Sequence, residues 1–137
     1  MANKLLLEIV TPTRLVVSEQ VDLATAPGVD GVFGVMANHS PLLATLKVGE
    51  MHYTVDAKLE RLAVSGGFCE ISSNRMTVLA EAAEISAEVD VDRALKAKER
   101  AERRLQEAQQ QKEKIDVARA QAALARSMVR LKVAGRQ

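Results

Sequence analysis

Aromatic side chains are nearly absent from this chain, which has no tryptophan, one tyrosine and two phenylalanines among 137 residues. A platform that stacks single-stranded nucleic-acid bases needs exposed rings, so that class is not expected. Any core must be built mainly from valine, leucine, isoleucine, alanine and methionine. Cysteine occurs once, at Cys69, so no internal disulfide can form and nothing depends on an oxidising compartment. Long apolar runs are missing too. No stretch approaches the ~18 residues that mark a membrane span, and Met1–Leu7 lacks the apolar region and cleavage site of a secretory signal. The expectation is a soluble chain that reaches a membrane only through a partner.

Catalytic and metal-binding patterns are missing as well. His39 and His52 have no cysteine or histidine neighbour at zinc-ligand spacing. The run Gly28-Val29-Asp30-Gly31-Val32-Phe33-Gly34 has three glycines but no phosphate-binding Lys-Ser/Thr and no following helix, so its glycines mark tight turns. No Gly-x-Ser-x-Gly elbow is present. Cys69 sits in an alternating segment with no histidine nearby, which is the pattern of an inert buried thiol. No catalytic residue, no metal and no obligatory cofactor are expected.

What is present divides in two. Residues 1–88 carry six Lys/Arg and eleven Asp/Glu, a net of −5; residues 89–137 carry thirteen and seven, a net of +6. From Lys4 to Ala80, short apolar and β-branched runs recur between turn residues, Gly49 and Gly66-Gly67 among them: Leu5–Val10, Leu15–Val17, Val21–Ala24, Val32–Val35, Leu43–Val48, Met51–Val55, Leu62–Val64, Phe68–Ile71 and Met76–Leu79. Many short strands with no room for a crossover helix predict an antiparallel sandwich or barrel and exclude a parallel βαβ fold.

After residue 88 the period changes. Ala94, Ala97, Ala101, Leu105 and Ala108 step by 3, 4, 4 and 3, and Val117, Ala120, Leu124, Met128 and Leu131 repeat that order, so two amphipathic helices are predicted. The polar run Gln109–Lys114 should turn between them. Asp90 or Asp92 can cap the first helix, Asp116 the second, and Gly135 falls where the second would stop. Stripes of alanine bury little area, at ~25 cal/mol per Å², while helix propensity stays high. The helices should therefore persist even where their packing changes, and the C-terminal part is expected to be a movable element.

The segments Ile9-Val10-Thr11-Pro12, Pro27–Val35, Asn38-His39-Ser40-Pro41-Leu42-Leu43, Gly66-Gly67-Phe68 and Thr77-Val78-Leu79-Ala80-Glu81 occur in an order and spacing that resembles the epsilon subunit of bacterial F-type ATP synthases. The resemblance extends over essentially the whole chain, including the Asp-x-x-Arg-Ala start of the first helix. It implies an all-β sandwich of about ten short antiparallel strands over residues 1–86, followed by a C-terminal α-helical hairpin over 87–137.

It also implies a rotor role at the foot of a central stalk, peripheral to the cytoplasmic face of the bacterial inner membrane. The implied partners are the gamma subunit, the c-ring and the catalytic alpha and beta subunits, with no nucleic acid. Asp30, Gly31, Val32, Phe33 and His39 match the region that faces the c-ring and gamma, Val32 standing where the family often has an acidic residue. Arg119, Arg126, Arg130 and Lys132 match inhibitory contacts to alpha and beta. Some members bind regulatory ATP on the folded hairpin; the positions matching that site are Glu84, Val89, Asp90, Arg93, Ala94, Arg100, Arg126 and Arg130. The alternative reading of the residues is a stand-alone β-sandwich adaptor with a helical dimerisation tail.

Overall fold

A computed structural model describes residues 3–111 and 117–135. The described chain forms eight strands, β1 (Leu5–Val10), β2 (Leu15–Val21), β3 (Leu23–Gly28), β4 (Gly31–Val35), β5 (Leu42–Val55), β6 (Lys58–Ser72), β7 (Arg75–Ala80) and β8 (Ala83–Ile85). A 3₁₀ turn at Ser86–Glu88 leads into α1 (Val91–Gln111) and α2 (Val117–Val133).

The expected sandwich of about ten strands is present in a particular sense. Leu43–Val48 and Met51–Val55 fuse into the 14-residue β5, and Leu62–Val64 joins Phe68–Ile71 in the 15-residue β6. The Gly66-Gly67 pair, expected as a turn, is instead a bend within β6, with φ of +90° and +137°. Glycine reaches this region without the steric cost that a Cβ brings. At Gly67 the constraint is tighter still, since a Cβ there would lie 2.1 Å from the Leu79 carbonyl oxygen.

The bend folds one ladder into two layers. Residues 42–46 of β5 pair with 67–71 of β6, and 48–55 pair with 58–65, in one unbroken register. One layer therefore runs β2-β1-β7-β6-β5 with the outer halves of the long strands. The other runs β8-β6-β5-β3-β4 with the inner halves. Counting each half separately gives ten strand segments. One pairing departs from the antiparallel expectation: β1 and β7 are parallel, which the long intervening chain permits.

Alternation places the core between the layers. Leu5, Leu7 and Ile9 point inward from β1, meeting Leu62, Val64, Cys69, Ile71, Met76 and Val78. Burial pushes the Cys69 thiol up to about 11, so it is protonated and inert at neutral pH, as its alternating pattern predicts. Tight turns close the hairpins. Asp56-Ala57 and Ser73-Asn74 both adopt positive φ, and the Asn74 amide knits three segments, donating to the Lys4 carbonyl and accepting from the Asn38 amide.

Beside the first of these turns, Asp22 accepts from the Asp56 amide at 2.8 Å and lies 3.4 Å from the Lys4 ammonium. The backbone hydrogen bond, with Lys4 adding to it, holds the Asp22 carboxyl below its usual 3.8. The stabilisation is thus present above the ordinary carboxylate range and disappears as pH falls through the depressed folded value.

Two outcomes check this architecture. Gly67→Ala should destabilise the sandwich by about 3 kcal/mol or more, through clash and positive-φ strain, measured by urea unfolding. The difference in unfolding free energy between wild type and Asp22→Asn should be largest near neutral pH and shrink towards zero below pH ~3.8.

Candidate functional site

The helical hairpin lies on the outer face of the second layer. Ala63 shows this directly: its neighbours Leu62 and Val64 point into the core, so alternation turns Ala63 outward, yet it is only 5% exposed. Its cover is α2, whose Ala120, Ser127, Leu131 and Val133 are buried. The buried stripe differs from the predicted one: Val117 is 42% and Met128 51% exposed. Ser127 replaces Met128 because the helix must serve both α1 and the sheet, which rotates the contact face. The Ser127 hydroxyl is satisfied locally, donating to the carbonyls of Ala123 and Leu124.

At the head of α1, Asp90 is the cap, its Oδ1 accepting from the Arg93 amide at 3.0 Å. This satisfies one of the amides that a helix start leaves without a partner. Val89 and Ala94 are buried beneath it, and Arg93 is exposed. Arg14 on the β1–β2 turn reaches Glu88 at 2.7 Å and fixes the 3₁₀ turn at the entrance to the hairpin. Gly135, at φ +81°, closes α2 as predicted, its amide donating to the Lys132 carbonyl. Gln109–Gln111, expected to turn, are instead the last residues of α1, whose good helix formers carry it on; the rest of that predicted turn and the Asp116 cap lie outside the described residues.

Between α1, α2 and the sandwich lies an open cleft of about 740 Å³. Its floor is made of small residues, Ser65 and Ala82 from the sandwich and Ala97, Ala101, Ala120 and Ala123 from the helices. Its rim carries Arg100 and Arg104 from α1 and Arg119, Arg126 and Arg130 from α2, with Glu84 and Glu107. Five guanidinium groups face two carboxylates, leaving a strong positive excess. Arg100/Arg104 and Arg126/Arg130 are each at i,i+4, where like charges disfavour the helix by a few tenths of a kcal/mol. An anion in the cleft removes that repulsion and offers acceptors to several guanidinium forks.

One carboxylate is already engaged. The Arg130 Nη2 donates to Glu84 Oε2 at 3.1 Å, and Nε lies 2.6 Å from Oε1. That second contact is too far out of line to count as a hydrogen bond, so the Nη2 bond is the directional one. The two side chains are 19% and 28% exposed. A pair in this half-buried setting is worth about 1–2 kcal/mol, between an exposed ion pair and a buried charged hydrogen bond.

The structure thus gathers Glu84, Arg100, Arg126 and Arg130 at one cleft, and leaves Val89, Asp90, Arg93 and Ala94 at the helix head, off its lining. Arg104 and Glu107 line the cleft but did not emerge from the sequence. The signal was there, because Arg104 follows Arg100 by four and Ala97 by seven, one turn further along the same side.

The second candidate surface is the β3–β4 turn. Asp30, Gly31 and Val32 are exposed, Val32 at 69%. Phe33 is different. Its ring packs on the core over Gly28, where a Cβ would come within 3.0 Å of it. His39 is half-buried, its Nδ1 donating to the Ser40 carbonyl at 2.6 Å. On the outer face of the first layer Leu15, Leu43, Phe68 and Leu79 are all more than half exposed, an apolar patch that shares this face with the polar Glu8, Glu70, Arg75 and Thr77. Among the described residues, no group of three or more His, Cys, Asp or Glu is placed to hold a metal ion, and no helix is long and apolar enough to cross a membrane.

These features define a two-module chain, a β-sandwich with an exposed apolar patch on one face and a cationic helical hairpin seated on the other. The family profile of the ATP synthase delta/epsilon chain β-sandwich domain matches residues 4–86, and that of the delta/epsilon chain long α-helix domain matches residues 87–135. The chain belongs to the ATP synthase delta/epsilon chain family. It is 53% identical over 135 residues to the ATP synthase epsilon chain of Nitratidesulfovibrio vulgaris, and 51% over 134 residues to that of Syntrophobacter fumaroxidans, each match covering 98% of both chains.

Among solved structures, it resembles a chain of the Euglena gracilis mitochondrial ATP synthase OSCP/F1/c-ring assembly, with a TM-score of 0.79 at 21% identity over 96% of this chain and 81% of that one. The match to the Tetrahymena thermophila mitochondrial ATP synthase central stalk/c-ring has a TM-score of 0.60 at 13% identity, covering 98% and 97%. At those identities the likeness is one of fold. The free-standing adaptor reading is not favoured, since the alanine stripes are spent within one chain.

The seating of the hairpin gives a direct check. Leu131→Ala removes its largest buried aliphatic anchor and should cost about 2–4 kcal/mol; Arg130→Gln should cost about 1–2 kcal/mol. Tryptic cleavage within residues 89–135 should accelerate at least tenfold in both, while the melting of the sandwich stays unchanged.

Proposed function

We propose that this chain is a non-catalytic rotor subunit of an F-type ATP synthase, which couples ion translocation to ATP synthesis and restrains ATP hydrolysis through its C-terminal helices. The observation that carries the proposal is the division of its surfaces. The first layer leaves an apolar patch of Leu15, Leu43, Phe68 and Leu79 exposed, and exposed apolar patches mark protein partners. The second layer is covered by a hairpin whose contacts include a few alanines, Leu131, Val133 and the Glu84–Arg130 ion pair.

In this reading that patch and the sandwich edge engage the gamma subunit, and the β3–β4 turn with His39 meets the c-ring. Asp30, Gly31 and Val32 are the exposed members of that set, and Phe33 supports the turn from beneath. The chain then sits peripherally, at the cytoplasmic face of a bacterial inner membrane, attached through the complex.

Released from the sheet, the hairpin would extend along gamma and present Arg119, Arg126, Arg130 and Lys132 to acidic segments of the alpha and beta subunits. Exposed ion pairs contribute ~0.2–1 kcal/mol each, so inhibition requires several together and weakens as salt screens them. Folded down, the same helices form the cationic cleft, which we assign to regulatory ATP. Arg100, Arg126 and Arg130 supply guanidinium forks for phosphate oxygens, and Glu84 lies at the nucleoside end. Nucleotide occupancy would then favour the seated hairpin, by as much as its differential affinity for that state.

Deletion of residues 89–137 from the reconstituted complex tests the inhibitory role. ATP hydrolysis should rise severalfold while ion-driven synthesis is retained. An unchanged hydrolysis rate would remove that role and leave a passive stalk component.

A further inference from the structure

The joint between the two modules is short, and each side of it is closed by its own bonds. On the sandwich side β8 is paired to β6, with Ile85 opposite Leu62, and Ile85 packs against the core. The 3₁₀ turn Ser86–Glu88 follows at once and lies against β6. Its last residue, Glu88, accepts from Arg14 at 2.7 Å, a contact between positions 74 apart in the chain. Arg14 is held in turn by Thr11, whose hydroxyl accepts from the Arg14 amide and whose own amide donates to the Arg14 carbonyl.

On the helix side the bonds belong to α1 alone. The Asp90 carboxylate accepts from the Arg93 amide and the Asp90 carbonyl from the Ala94 amide, both at 3.0 Å. Between the two sides lies Val89, extended at φ −68° and ψ 123°. Its amide reaches the Ser86 carbonyl at 3.4 Å, long for an N–H···O bond. β-Branching lowers the helix propensity of this position, so α1 does not run back into the turn.

We propose that Val89 is the hinge on which the hairpin swings from the sheet. The Arg14–Glu88 pair is the clamp that keeps the pivot there, holding the 3₁₀ turn to the sandwich whether the hairpin is seated or released. This assignment rests on the movable hairpin proposed above and adds the place where the chain turns and the residue that fixes it. The bonds decide the position. Breaking the seat leaves the Asp90 cap intact, because its partners travel with α1. It also leaves the Arg14–Glu88 contact intact, because both ends stay with the sandwich. The change then falls on the dihedrals of the joint residue, as in other hinges between packed units.

The clamp also limits where the released helices can go. One residue contributes a single pair of soft dihedrals, so the head of α1 stays beside the β1–β2 turn. Without the clamp, Ser86, Ala87 and Glu88 add their own dihedrals to the joint, and the released hairpin spreads over many more orientations. The Arg14 and Glu88 side chains are 47% and 42% exposed, so salt screens the pair and loosens the pivot.

The test is pulsed dipolar spectroscopy of the full chain carrying two spin labels. Ser72→Cys supplies the sandwich reference, and the second label is at Ala87→Cys in the turn or at Gln121→Cys on α2, all three positions being exposed. Cys69, buried and protonated, stays unlabelled. Leu131→Ala supplies the released hairpin. In that background the 72–121 distance distribution should broaden about twofold or more, while the 72–87 distribution stays as narrow as in wild type. Adding Arg14→Gln should broaden the 72–87 distribution too, and the charge reversal Arg14→Glu with Glu88→Arg should narrow it again. Broadening at 72–87 with Arg14 in place would put the pivot upstream of Val89. A 72–87 distribution that stays narrow in Arg14→Gln, or that charge reversal does not restore, would remove the clamp. Each of these results overturns the proposal and leaves the hairpin movable. A 72–121 distribution that stays narrow in Leu131→Ala would overturn the movable hairpin itself, and the hinge with it.

Discussion

Everything in this molecule is positioned by a bend of two residues. Gly66 and Gly67 take backbone angles that a side chain would resist, and Gly67 passes so close to the Leu79 carbonyl that no Cβ fits. That bend turns a single antiparallel ladder over on itself. It closes a core made mainly of Val, Leu, Ile and Met, with Tyr53 as its one buried aromatic among the described residues, and it creates two outer faces with different fates. One keeps an exposed apolar patch; the other receives the hairpin.

The seat of the hairpin is thin by design of composition rather than by poor packing. Ala94, Ala101 and Ala120 are nearly or fully buried, but each methyl removes little area from water. Leu131 and Val133 contribute more, and the Glu84–Arg130 pair adds a directional contact. Helices rich in alanine, arginine and glutamate keep much of their own stability when they leave the sheet. The sandwich, with its continuous ladder and apolar core, does not. The two modules therefore differ in how much free energy separates them from an alternative state, which is what a switching element on a fixed scaffold requires.

Much of this was legible in the sequence. Period-2 apolar runs and period-3.6 alanine stripes gave the two modules, and Asp90 and Gly135 marked helix ends where the structure has them. The inert environment of Cys69 was also readable. What escaped was long-range geometry. A Gly-Gly pair reads locally as a turn, and only the register of β5 on β6 reveals a bend inside a continuous strand. The parallel β1–β7 pairing leaves no local trace. On α2 the choice of Ser127 over Met128 for the buried face depends on serving two neighbours at once, which periodicity does not encode. Phe33, which the resemblance places in the segment facing the c-ring and gamma, is partly buried with its ring over Gly28, a packing that its local sequence does not encode. The cleft was half legible: Arg100, Arg126 and Arg130 were named, whereas Arg104 needed the facing helix to show that the groove continues.

The central claim is that the hairpin is seated by far less free energy than holds the sandwich together. Native-state hydrogen exchange of the full chain measures this most directly, by comparing amides of α2 around Ala120–Leu131 with those of β1, β6 and β7. The account predicts that the α2 amides exchange through an opening well below the global unfolding free energy, and that ATP slows them selectively. If the α2 amides exchanged only through global unfolding, with or without ATP, the hairpin would be part of the scaffold and the account would be wrong.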